Sequence, residues 1–196
     1  MKCSVFIATS ADGYIATPDG GVDWLETSGN KMADMGDQLD MGMATYLSSI
    51  DCMIMGRKCM EKISSFNLTP EQWPYGGIRI IVLSRTVKEP PTNLKDKVEI
   101  HAGDIPTLMS QLETEGFPHA YIDGGTTITS FLNLRLIHEI TITQAPILLG
   151  AGTSLFGKIF KKIKLERAEA TAYPNDFIQI KYQVNYQEQG TVGQAV

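Results

Sequence analysis

Tyr121-Ile122-Asp123-Gly124-Gly125-Thr126-Thr127 decides how this chain folds: an apolar run of strand length ends in two glycines, and two hydroxyl residues open the next segment. Where a strand gives way to a helix, glycines and hydroxyls are the sequence form of an anion-binding turn in α/β proteins. The same arrangement occurs upstream, at Ile54-Met55-Gly56-Arg57-Lys58 and at Ile81-Val82-Leu83-Ser84-Arg85. Any one of the three also reads as an ordinary connection. Three in a chain of 196 residues argue for a ligand with several phosphates, and so for a dinucleotide.

Around these turns, strands alternate with helices. Ser4 to Thr9, Cys52 to Met55, Ile78 to Leu83, Val98 to His101, Ala120 to Ile122 and Glu139 to Thr143 read as strands. Arg57 to Ser65, Ile105 to Glu115 and Thr126 to Asn133 read as helices, the second stopped by Gly116. Between Lys31 and Ile50 the apolar residues Met32, Met35, Leu39, Met43, Tyr46 and Ile50 recur every three or four positions, which predicts an amphipathic helix. Ser10 to Gly21 is too rich in glycine, aspartate and proline for regular structure and is expected to be a mobile loop. Ala168 to Thr171 and Phe177 to Tyr186 predict a closing antiparallel pair. The expected fold is an α/β class protein with a mixed, mostly parallel central sheet. One domain over 1–186 and a disordered tail over 187–196 account for the length.

The formal net charge of −5 excludes a broad nucleic-acid or anionic-membrane surface, which needs an excess of Lys and Arg. An anionic ligand must then be met by local charge. No apolar run approaches the ~20 residues that span a bilayer, and Met1-Lys2 leads straight into the first strand. Cys3, Cys52 and Cys59 have no metal-ligand spacing, so no metal is expected and a reducing, cytoplasmic setting is.

Each turn brings its own chemistry. Gly56 clears the backbone for a phosphate, and Arg57 and Lys58 open a helix whose first N–H groups favour an anion. Ser84 and Arg85 offer a hydroxyl and a guanidinium suited to a phosphate monoester. Gly124, Gly125, Thr126 and Thr127 suit a pyrophosphate. Leu83-Ser84-Arg85 lacks the carboxylate that would hold a ribose diol, and bases stand there instead. This selects NADPH over NADH.

Val5 to Ala16 with its Ser-x-Asp-Gly loop, Asp23-Trp24-Leu25, Met55-Gly56-Arg57-Lys58, Val82 to Thr86 and Asp123-Gly124-Gly125 resemble the dihydrofolate reductase superfamily. With Ala145 to Gly152 and Leu155-Phe156, the chain is most similar to the RibD C-terminal reductase family of riboflavin biosynthesis, from about Lys2 to Tyr186. The resemblance implies a three-layer α/β/α dihydrofolate reductase-like fold, a homodimer, and hydride transfer from NADPH to a small heterocycle. The first expectation is a 5-amino-6-(5-phosphoribosylamino)uracil reductase. A dihydrofolate or other pterin reductase is the alternative, and a non-catalytic NADPH-binding module is the alternative of another class. No H-x-E or P-C-x-x-C signature of a zinc deaminase occurs.

By the same resemblance, Gly56, Arg57, Lys58 and Cys59 match the cofactor helix start, with Cys59 in place of a threonine. Leu83, Ser84 and Arg85 match the adenosine phosphate site, and Gly124 to Thr127 the pyrophosphate site. Ala8 and Ile15 flank the nicotinamide, and Trp24 and Thr143 belong to the substrate side. Counting back from Met55-Gly56-Arg57 places Asp40 at the acid of dihydrofolate reductases. On the predicted helix it shares a strip with Gly36, Met43 and Leu47 and points inward, with a raised pKa. Asp12 is the rival acid of the riboflavin branch.

Overall fold

The computed structural model describes residues 1–186; the tail expected over 187–196 lies outside the described residues. Strands β1 (Lys2–Ser10), β3 (Cys52–Gly56), β4 (Arg79–Leu83), β5 (Glu99–His101), β6 (His119–Asp123) and β7 (Glu139–Ala145) run parallel, and β9 (Lys164–Ala172) and β10 (Ile178–Asn185) close one edge antiparallel. The order is β5-β4-β3-β6-β1-β7-β10-β9. This is the mixed, mostly parallel α/β sheet with an antiparallel C-terminal pair that the sequence predicts.

Period-two alternation splits the core into two layers. Cys52 and Ile54 of β3 face α4 (Ile105–Thr114) and α5 (Gly125–Asn133), packing with Leu108, Leu112, Ile128 and Phe131. Met53 and Met55 face the opposite side with Met60 of α3 (Arg57–Ser65) and with Tyr46 of α2 (Met43–Ser48). Tyr46 also donates to or accepts from Ser4 Oγ at 2.8 Å, and Ser4 meets His119 Nε2 at 2.7 Å, so this helix is tied to the sheet through a buried hydroxyl. Among the described residues no helix is long and apolar enough to cross a membrane.

Two sequence expectations are corrected. The helix over Lys31 to Ile50 does not form: only Met43–Ser48 is α-helical, after a single 3-10 turn at Gly36–Gln38. Met32 and Leu39, predicted on its buried face, are 92% and 78% exposed. Aspartate side chains defeat the helix by capturing nearby backbone donors: Asp34 accepts from Gly36 N–H, and Asp40 from Gly42 and Ala44 N–H. Met41 and Gly42 then turn through left-handed φ values of 49° and 85°. The Ser10 to Gly21 loop, in turn, is not wholly irregular. Its β2 (Tyr14–Ala16) pairs antiparallel with β8 (Thr153–Ser154), and α1 (Trp24–Thr27) follows the loop.

Candidate active site

The order β4-β3-β6 sets the three turns side by side at the carboxyl ends of adjacent parallel strands, with Gly56 opposite Leu83 and Met55 opposite Asp123. Helices α3 and α5 therefore start next to each other, and their unpaired first-turn N–H groups converge on one region. Glycine is required there by space. A Cβ on Gly56 would stand 2.9 Å from Thr127 Oγ1, and one on Gly125 would stand 2.7 Å from the Ser154 carbonyl oxygen. Gly124 turns at φ +90° against Cys59.

Beside these ends opens a cavity of about 1150 Å³. Pockets for one drug-sized ligand run to ~1,000 Å³, so this volume suits two molecules held together. Ala8 of β1, Ile15 of β2, Lys58 and Cys59 of α3, Gly124 of the turn after β6, Thr143 of β7, and Asp40 all line it. Gly56, Arg57, Leu83, Ser84, Arg85, Gly125, Thr126 and Thr127 follow the same strand ends outside the lining. The Ser84 oxygen accepts from Val87 N–H at 2.9 Å, which leaves its proton free to donate. Arg85 is exposed beside it, whereas Arg57 is already paired with Glu61 at 2.5 Å.

Trp24 lies behind the wall of the cavity. Its indole is 3% exposed and packs with Ala145 and Phe177, because the single turn of α1 buries it against the end of β7. Leu25 and Glu26 reach the cavity in its place.

The family model of the RibD C-terminal domain matches residues 2–179. The chain belongs to the RibD C-terminal domain family. Among solved structures, a Shewanella sp. PV-4 protein named for riboflavin biosynthesis is 36% identical with a TM-score of 0.84, over 94% of this chain and 99% of that one. The Thermotoga maritima diaminohydroxyphosphoribosylaminopyrimidine deaminase/5-amino-6-(5-phosphoribosylamino)uracil reductase has a TM-score of 0.60 at 14% identity, a likeness of fold; this chain covers 56% of it. The uncharacterized protein YwjB of Bacillus subtilis (strain 168) is 28% identical over 182 residues, 92% of this chain and 97% of that one. The dihydrofolate reductase-like expectation for the fold therefore stands.

In this RibD C-terminal domain the two predicted acids do not have the surroundings that raise a pKa. Asp40 is exposed at the edge of the cavity, and the N–H groups of Ala44 and Gly42 hold its carboxyl below the ordinary range. The inward strip that would bury it is absent with the helix. Asp12 accepts from Ser10 Oγ at 2.6 Å and from Leu149 and Gly150 N–H at 3.1 and 2.7 Å, which also holds it low. With its lone pairs committed, it fastens the β1–β2 turn to the loop after β7. That clasp is present above the unfolded carboxyl pKa and is lost as pH falls through the lowered folded value. Asp12→Ala is accordingly expected to speed amide hydrogen exchange at Leu149 and Gly150 by at least ~10-fold while sparing β3 and β6, read residue by residue by NMR.

Asp123 is the acid that sequence reasoning passed over. At the end of β6 it lines the cavity, and burial pushes its carboxyl up, partly offset by bonds from the Cys59 thiol, Gly124 N–H and Tyr121 hydroxyl. Tyr121 gives its stronger bond to the Phe6 carbonyl, at 2.8 Å. Tyr75, from the loop before β4, lines the same space, and burial, with smaller contributions from Asp123 and Cys59, raises its pKa. A carboxyl whose burial favours the protonated form, in the wall of a cavity, is suited to proton transfer.

Proposed function

We propose that this domain is an NADPH-dependent reductase acting on a small nitrogen heterocycle of the riboflavin-branch type. The observation that carries the reading is the convergence of two helix starts and a glycine cradle on a cavity large enough for cofactor and substrate, with Asp123 in its wall. The residues fit a dinucleotide: Gly56, Gly124 and Gly125 let the turns pack close against Thr127, Cys59 and Ser154, Lys58, Thr126 and Thr127 meet the pyrophosphate, and Ser84 with Arg85 meets the adenosine phosphate. When bound, NADPH supplies the hydride. Ala8 and Ile15 are small and apolar enough to keep water from the ring between them, Thr143 orients the substrate, and Asp123 supplies the proton. The chain needs no nucleophile for this chemistry. The homodimer implied by the resemblance belongs to the same proposal.

Fluorescence titration tests it. NADPH is expected to bind at least ~10-fold more tightly than NADH, and Arg85→Ala to remove ~10- to 100-fold of NADPH affinity with less effect on NADH, as a charged hydrogen bond of ~1.5–3 kcal/mol requires. Absence of any preference would sink the phosphate assignment. Tight binding with no oxidation on any pyrimidine or pterin acceptor would favour the non-catalytic module.

A further inference from the structure

We infer that the end of α5 away from the three turns holds a second ligand site, which takes a planar heterocycle bearing a single phosphate. A cavity of about 320 Å³ opens there, near the lower bound for a site that holds one small ligand. Arg135, Lys161 and Lys162 line it together with Phe160 and Tyr186, and among the described residues no acid does. It shares no lining residue with the large cavity. The nine residues of α5 set it ~13 Å, at the helical rise, from the Gly124–Gly125 turn.

Lys158, Lys161, Lys162 and Lys164 follow one another with no acid among them, in a chain whose net charge is −5. Like charges so close repel, and the carboxyl end of a helix offsets only about half a unit of positive charge. Three lining cations therefore leave the cavity positive. The basic stretch is held in place along α5. Gly157 N–H donates to Thr129 Oγ1 at 2.8 Å, Phe160 N–H to Asn133 Oδ1 at 3.0 Å, and Asn133 Nδ2 to the Lys158 carbonyl at 2.9 Å. Arg135 stands just past the helix at φ 59°, in the left-handed region where glycine is the usual residue. A strained residue kept at such a place points to a use for its side chain. Arg135 and Lys161 each interact with a further group as well. A guanidinium and an ammonium carry several donors, so a phosphate adds to those contacts without replacing them.

The ring follows from Phe160, which is 73% exposed beside the cations. An aromatic face next to bases is how proteins hold a nucleotide base by stacking. Buried Leu132 and half-buried Ile163 give the cavity an apolar floor. The Tyr186 oxygen accepts from Ile137 N–H at 3.1 Å and keeps its own proton to donate to a ring carbonyl or a phosphate oxygen. A cavity of this size on an acidic chain suits one nucleotide rather than a strand of them.

Calorimetric titration with and without NADP⁺ tests the inference. Uridine 5′-monophosphate and flavin mononucleotide are the probes, and uridine, riboflavin and inorganic phosphate the controls. At least one of the two nucleotides is expected to bind at least ~10-fold more tightly than its unphosphorylated parent and than inorganic phosphate, whether or not NADP⁺ is present. Lys161→Glu/Lys162→Glu should remove ~10-fold or more of that affinity, and Phe160→Ala ~10-fold, with the melting temperature as a check on folding. Neither variant touches the large cavity, so NADPH affinity should stay within ~3-fold of the parent. Binding of neither nucleotide, binding that NADP⁺ abolishes, or binding that the lysine variant leaves unchanged overturns the inference. So does inorganic phosphate binding as tightly as either nucleotide. Failure of the parent to bind NADPH, with a nucleotide still held here, would remove the cofactor reading and leave this site standing.

Discussion

Asp123→Asn is expected to lower turnover by ~100-fold or more, the usual contribution of a positioned general acid, while leaving NADPH affinity within ~3-fold of the parent. Its effect on stability runs the other way. Burial raises the Asp123 carboxyl above its unfolded value, so the native state favours the protonated form. The stabilising contribution of that form is fully present below the unfolded pKa and is lost as pH rises through the raised folded value. Asparagine escapes the loss and still accepts the Cys59 thiol proton. The variant should therefore melt no lower than the parent at neutral pH, and its advantage should shrink toward pH 4. Activity and melting temperature moving in opposite directions is the mark of a strained functional group rather than of a structural one. Turnover within ~3-fold of the parent would take the proton-transfer role from Asp123 and give it to Asp40 or to water.

The fold was legible because its strands are short, apolar and separated by glycine turns; helix Arg57–Ser65 has the predicted bounds, with Gly56 at its start. The stretch from Lys31 to Ile50 was not. Met35, Leu39 and Met43 recur at helical intervals, yet they line a cavity, and the aspartates between them close turns on their own backbone. Hydrophobic periodicity reports that residues share a face, and cannot report that the face is the wall of a void. The turns after β3, β4 and β6 were readable for a local reason: each shows its glycine, hydroxyl or base within a few residues of the strand end. Asp123 belonged to a quoted turn, but its pKa depends on burial and on the Cys59 thiol, which reach it only when α3 is packed beside β6. A similar distance in sequence separates Thr143 from Gln179 and Met41.

Gly124→Ala is the second substitution with a large expected effect, and its two causes can be separated. At φ +90° and ψ 135° the backbone of Gly124 lies where a side chain is strained, at a cost of ~1–3 kcal/mol. The new Cβ would also collide with Cys59 Sγ, well inside van der Waals contact. Overpacking of this kind costs a further ~1–3 kcal/mol. For a chain of this length each kcal/mol is worth ~2–4 °C, so the melting temperature should fall by ~4–24 °C. Because the same shift moves the N–H groups that open α5 away from an incoming pyrophosphate, NADPH affinity should fall ~100-fold. The double variant Gly124→Ala/Cys59→Ala removes the collision and keeps the dihedral strain. It should recover roughly half of the lost stability, and with the Cys59→Ala single variant to complete the cycle the coupling energy of the pair follows. Full recovery would assign the whole effect to packing. No recovery would assign it to the backbone alone, and normal NADPH binding by the single variant would remove Gly124 from the cofactor cradle.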